Sequence, residues 1–143
     1  MSIDTFLATT SDGLARVTRS ATNDWTLDIL LAGERVRCVA ADPLNADRLF
    51  AASDERGVLR SDDRGTSWHP VGLAGHMVRS LAVSATEPDT VYAGIRPVAL
   101  HVSRDGGESW QELPALRHMR RWWWFSPAES PPMPYVQQIA LSP

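Results

Sequence analysis

The run Ser61-Asp62-Asp63-Arg64-Gly65-Thr66-Ser67-Trp68 returns 42 residues later as Ser103-Arg104-Asp105-Gly106-Gly107-Glu108-Ser109-Trp110. Both copies read Ser-x-Asp-x-Gly-x-Ser-Trp. The likeness extends upstream at the same offset, where Val36-Arg37-Cys38-Val39-Ala40 answers Val78-Arg79-Ser80-Leu81-Ala82 and Leu49-Phe50-Ala51-Ala52 answers Val91-Tyr92-Ala93-Gly94. Repetition at a period near 40 means a modular array, in which each unit buries its apolar face against the next.

Each unit holds four short apolar runs. In the clearer copy they are 78–84, 90–95, 99–104 and 109–113, separated by turn residues such as Glu87-Pro88-Asp89, Arg96-Pro97 and Asp105-Gly106-Gly107. Short runs with β-branched and aromatic members between Gly, Pro and Asp are strand signals. No segment keeps apolar residues at helical spacing for long enough to make a helix. The repeated motif then falls on the turn between the third and fourth strands. Gly65 and Gly107 accept positive φ there, Asp63 and Asp105 fold back onto turn amides, and Ser61 and Ser103 brace the loop. Trp68 and Trp110 open the fourth strand and bury a ring against the neighbouring sheet. Each motif residue therefore has a structural role to fill.

With these residues in view, the chain resembles the Asp-box, or BNR-repeat, β-propellers: sialidases, sortilin-like receptors, xyloglucan-cleaving glycosidases and photosystem II assembly factors of the stability-factor type. Serine replaces the more usual threonine before tryptophan, and the likeness runs over roughly residues 4–142. It implies an all-β propeller segment of about three four-stranded blades with Asp-box hairpins. It says little of function, since these proteins share the hairpin and differ in activity.

A degenerate unit comes first, with Phe6-Leu7-Ala8-Thr9 as second strand, Leu14–Thr18 as third and Trp25–Ile29 as fourth, although 20–24 lacks the Asp and Gly of the box. The blade-like units are thus about 4–31, 36–73 and 78–116, followed by an inserted loop at 117–134 and a last strand at 135–142. A propeller usually has about four to eight blades, so three need completing. Either the propeller continues in a longer chain, or two copies exchange strands as a homodimer. The chain's first strand and last strand have the phase that exchange requires.

Net charge −3 argues against general nucleic-acid affinity. No apolar stretch has transmembrane length, and the first residues lack the pattern of a signal peptide. A cytoplasmic, non-membrane protein is expected. Cys38 is the single cysteine and reads as a small core residue. The four histidines lack metal-ligand spacing. Neither a nucleophile elbow nor a phosphate loop is present, so neither metal nor cofactor is expected.

Val78 and Val136 stand 58 residues apart where the repeat calls for 42. The inserted stretch carries Arg120, Arg121, Trp122, Trp123, Trp124 and Phe125, then four prolines. It lies in a fourth-to-first-strand connection, on the propeller face that surrounds the channel mouth. Indole faces suit sugar rings, and arginine forks suit carboxylates and phosphates. Packing over the channel would use the same residues. Arg37 and Arg79, near the start of adjacent inner strands, reach towards this mouth, with Gln137 as their counterpart. Sialidases hold a carboxylate with arginines from different blades, so the resemblance implies an anion site there. Asp12, Asp54 and Glu55 are candidate paired carboxylates for glycoside hydrolysis, or plain solvated turn acids. The resulting expectation is a non-catalytic binding module with a glycan or protein partner. A glycosidase or sialidase-like hydrolase and a photosystem II-type assembly scaffold are the alternatives.

Overall fold

The computed structural model describes residues 5–114, 116 and 135–142. Strands β1 (Thr5–Thr10), β2 (Gly13–Arg19) and β3 (Trp25–Leu30) form the first sheet. Strands β4 (Val36–Ala41), β5 (Leu49–Ser53), β6 (Gly57–Ser61) and β7 (His69–Gly72) form the second. The third holds β8 (Met77–Val83), β9 (Val91–Arg96), β10 (Ala99–Ser103) and β11 (Gln111–Leu113). Each is an antiparallel meander in chain order. The described residues are all-β, and β7 and β11 are the outer strands of their sheets.

The sheets stack face to face, with the second in the middle. Phe50, Ala52, Val58 and Val71 pack against Val78, Leu81, Val91 and Ala93 of the third sheet. Leu14 of the first sheet meets Val36 and Ala51 of the second, with Leu7, Leu30 and Trp68 at the margin. A central strand covered on both faces reads as continuous apolar sequence rather than alternating, which is why Leu49–Ser53 is buried throughout. Alanines at 51, 52 and 93 let the sheets approach closely around Phe50, which has no exposed surface. Cys38 borders this core, and burial pushes its thiol pKa up to about 12.

Two expectations are corrected. Trp68 and Trp110 stand just before β7 and β11 rather than opening them, because their turns extend through the indole. Tyr135–Ser142 is not a strand. A strand exists through its ladder, and this segment meets no partner strand among the described residues.

The repeated turn is closed by its serine and aspartate. The Ser61 hydroxyl accepts the Gly65 N–H at 2.8 Å and donates to Asp63 Oδ1 at 2.7 Å. Asp63 also accepts the Ser67 N–H at 2.8 Å and the Ser67 hydroxyl at 2.6 Å. Ser103, Asp105, Gly107 and Ser109 reproduce this pattern. The Ser67 and Ser109 hydroxyl bonds, with their amides and the preceding serines, hold the Asp63 and Asp105 carboxyls at about 2. A carboxyl lowered by folding stabilises the turn above its ordinary range near 3.8, and that contribution fades as pH falls towards 2.

These turns also join the sheets. The Trp110 indole donates to the Val71 carbonyl of the preceding sheet at 2.9 Å, while Trp68 bonds Gly65 in its own turn at 3.0 Å. Arg60 reaches the Gly106 carbonyl at 2.9 Å and Glu108 at 3.1 Å, and Arg48 bridges Asp62 and Asp89. Arg16 of the first sheet donates to the Arg64 carbonyl at 2.8 Å. The degenerate first turn keeps the serine bond, Ser20 Oγ accepting the Asp24 N–H at 3.1 Å, but has Thr22, 2.8 Å from Ser20 Oγ, in the aspartate's place. Asn23 adopts φ 71°, a conformation asparagine tolerates better than most residues.

Candidate functional site

The connections β3–β4, β5–β6 and β7–β8 gather at the end of the sheets opposite the Ser/Asp/Gly/Trp turns. Here the ladders are irregular. The β4–β5 register shifts between Val36 and Cys38, and the β8–β9 register between Val78 and Ser80. The extra residues are Arg37 and Arg79. A bulge re-aims the side chain it carries, so both arginines leave the ordinary in-and-out alternation at equivalent points of adjacent sheets. The repeat supplies the residue pair, and the bulge supplies the direction.

Arg37 does not stand open to a ligand. Its Nε lies 2.8 Å and 2.9 Å from the two oxygens of Asp54, and its Nη2 lies 2.5 Å from Oδ2. Hydrogen bonds from Arg37 hold the Asp54 carboxyl below its usual range, and the charges of Arg37, Arg35 and Arg79 act in the same direction. Arg37 binds this carboxylate directly, and Arg35 and Arg79 stand near enough for their charges to act on it. Arg37 and Asp54 are partly solvated, so the pair contributes on the order of 1 kcal/mol to stability or less.

Arg79 lies against Tyr135. Its guanidinium carbon sits 5.1 Å from the centre of the Tyr135 ring, within cation–π range. Its Nε is buried with no hydrogen-bond partner among the described residues, and such donors are uncommon in folded proteins. Arg35 is exposed and lines a shallow cleft with Thr10, Ser11, Val36 and Arg37. Beside it, Glu34 accepts Ser53 Oγ at 2.6 Å and Arg56 Nη1 at 2.8 Å. The bond from Arg56, then that from Ser53, lowers the Glu34 carboxyl. Asp54 and Glu34 are thus both paired with arginines.

A general acid must be protonated at working pH, whereas Asp54 and Glu34 are both held ionised by arginines. Among the described residues no group of three potential metal ligands converges, and no helix is long and apolar enough to cross a membrane. Arg120, Arg121, Trp122, Trp123 and Trp124 lie outside the described residues. The sequence did not single out Arg35 or the arginine lock on Asp54. A hint was available in Arg35-Val36-Arg37 beside Asp54-Glu55-Arg56, alternating charges on two connections bound for the same end.

Three antiparallel sheets in chain order, stacked face to face, define a segment of a β-propeller. Two solved structures share this fold. An ancestral GH74 enzyme superposes with a TM-score of 0.62 and 19% identity, over 76% of this chain and 16% of that one. YCF48 bound to D1 peptide superposes with a TM-score of 0.56 and 17% identity, over 73% of this chain and 35% of that one. The chain therefore spans a minor part of either neighbour's length. No protein-family model matches it, and no curated protein does.

Proposed function

We propose that this chain is a non-catalytic binding module of the Asp-box propeller type, which holds an anionic segment of a protein partner at the end where Arg35, Arg37 and Arg79 meet. The observation that carries this reading is the buried Nε of Arg79 beside Tyr135, without a hydrogen-bond partner among the described residues, next to an Asp54 carboxylate already held by Arg37. An arriving carboxylate would gain charge-assisted hydrogen bonds from the guanidinium groups of Arg79 and Arg35, each worth about 1 kcal/mol or less at a partly exposed site. The YCF48 neighbour, bound to a peptide, supports the choice of a protein ligand.

Titration with acidic peptides of about 8–12 residues, followed by fluorescence anisotropy, tests the reading. The double variant Arg35→Ala/Arg79→Ala should bind at least about tenfold more weakly, a difference of about 1.4 kcal/mol. Binding should also weaken with salt. Equal affinity for the variant and the parent chain would refute it.

A glycan ligand is the second reading, favoured by the consecutive Trp122, Trp123 and Trp124 and by the glycoside hydrolase neighbour. Oligosaccharide quenching of tryptophan fluorescence, lost when those three residues become alanine but intact in the arginine variant, would select it.

A further inference from the structure

The chain packs one sheet on the next twice, in the same way. Each time the first valine of the new sheet enters the face of the preceding one: Val36 meets Leu14, and Val78 joins the cluster of Phe50 and Ala52. Val136 repeats the move a third time. A Cβ at Gly94 would stand 2.5 Å from Val136 Cβ and Cγ1, and the Ser80 hydroxyl donates to the Val136 carbonyl at 3.1 Å. Further along, Leu141 and Ser142 line a cleft with Tyr92 and Ser84. Tyr135–Ser142 therefore occupies the seat of the innermost strand of a further sheet, with no second strand beside it among the described residues.

The first sheet has the opposite defect. Its order is β1-β2-β3, and β1 corresponds to β5 and β9, which are both internal strands. The position inside β1, filled by β4 and β8 elsewhere, has no strand among the described residues. Cross-strand register places Phe6, Ala8, Val17, Trp25, Leu27 and Ile29 on one face. That face points away from the second sheet, because Leu7, Leu14 and Leu30 occupy the other. Phe6 is 58%, Trp25 50%, Leu27 62% and Ile29 47% exposed. Large apolar groups gathered on one face mark an interaction surface. The corresponding face of the second sheet, which includes Ala51, is the one packed against the first sheet.

We propose that a second copy of this chain fills both vacancies: Tyr135–Leu141 of one copy pairs with β1 of the other, and the Phe6/Trp25/Leu27/Ile29 face packs on the Tyr92/Gly94 face of the third sheet. The interface is the one the chain already uses twice within itself. Its register follows from the two complete sheets, where Val39 opposes Ala51 and Leu81 opposes Ala93. By the same offsets Ile139 opposes Ala8, Gln138 opposes Thr9, and Leu141 opposes Phe6, with Gln137 in the bulge. Two reciprocal junctions about a two-fold axis would close a ring of about six sheets. Such a ring brings two Arg35/Arg37/Arg79 clusters to the same end. The inference stands apart from the ligand reading, because it depends only on sheet packing.

The test uses the full chain in a Cys38→Ala background carrying Ala8→Cys with Ile139→Cys, mildly oxidised and run without reductant. Side chains directly opposite on one face come close enough to bridge. The expected product is a covalent species of twice the 15.8 kDa chain mass. It should be missing from each single-cysteine variant and from the pair Thr9→Cys/Ile139→Cys, because a one-residue slip turns the thiols to opposite faces. Light scattering of the unaltered chain should also give twice 15.8 kDa. Leu27→Asp, at an exposed site of the first sheet, should fall to the single-chain mass while keeping its β-sheet circular dichroism. An intact chain of 15.8 kDa would overturn the proposal. So would a bridge formed within one chain, or equal bridging by the off-register pair.

Discussion

Trp110→Ala is expected to destabilise the chain by about 3–5 kcal/mol, the usual cost of emptying a large aromatic site. The indole borders the cluster between the second and third sheets and donates to the Val71 carbonyl across the gap. Its removal leaves both a cavity and a carbonyl without its donor. Domains have about 5–15 kcal/mol of total stability, so a loss of this size brings much of the population near unfolding. Trp25 is the internal comparator. It is half exposed, stacked on Phe6 with ring centres 5.5 Å apart and with the Arg19 guanidinium 5.7 Å from its ring centre, so Trp25→Ala should cost roughly 1 kcal/mol or less. Denaturant midpoints of the two variants measure the difference. Similar losses would mean that Trp110 does not join the sheets.

Gly107→Ala should be nearly as damaging, by about 2–5 kcal/mol, through two separate costs. The residue has φ 100°, and a side chain in left-handed backbone costs roughly 1–2 kcal/mol. The new methyl would also lie 2.7 Å from Val71 Cγ2 and 3.1 Å from Val71 Cβ, and overpacking a formed core costs about 1–3 kcal/mol. Gly75 isolates the first cost. Its φ is 77°, yet a methyl added there would meet nothing within 4 Å. Gly75→Ala should therefore lose only the backbone share, roughly 1–2 kcal/mol. Thermal unfolding of both variants separates packing from conformation, and equal shifts would contradict the close approach of the turn to Val71.

Much of the architecture was legible because the chain states it twice. A Gly, an Asp and two Ser at fixed offsets have one economical use in a hairpin turn, and the Trp after them needs a neighbour to cover it. The all-β class and the partial propeller follow from those residues and from the short apolar runs. The site was only partly legible. Arg37 and Arg79 stand out by repetition, but a bulge is a property of two strands in register, and neither strand alone reveals it. The bond from Arg37 to Asp54 is likewise invisible along the chain, since 17 residues separate partners that the sheet brings together. The same logic explains Tyr135–Leu141, whose apolar residues read as a strand while the described residues give it nothing to pair with. The first turn misled in another way. Asn23 takes the positive φ that Arg64 and Gly106 take at the matching point of the other two turns, so no glycine marks the place.

The Trp110 indole N–H offers the most direct measurement of the central claim, that consecutive sheets are clasped face to face through the Ser/Asp/Gly/Trp turn. In two-dimensional NMR its resonance should exchange slowly with solvent and show cross-peaks to the Val71 methyls, while the Trp25 indole N–H should exchange fast. A Trp110 indole that exchanges as fast as Trp25, with no contact to Val71, would contradict it.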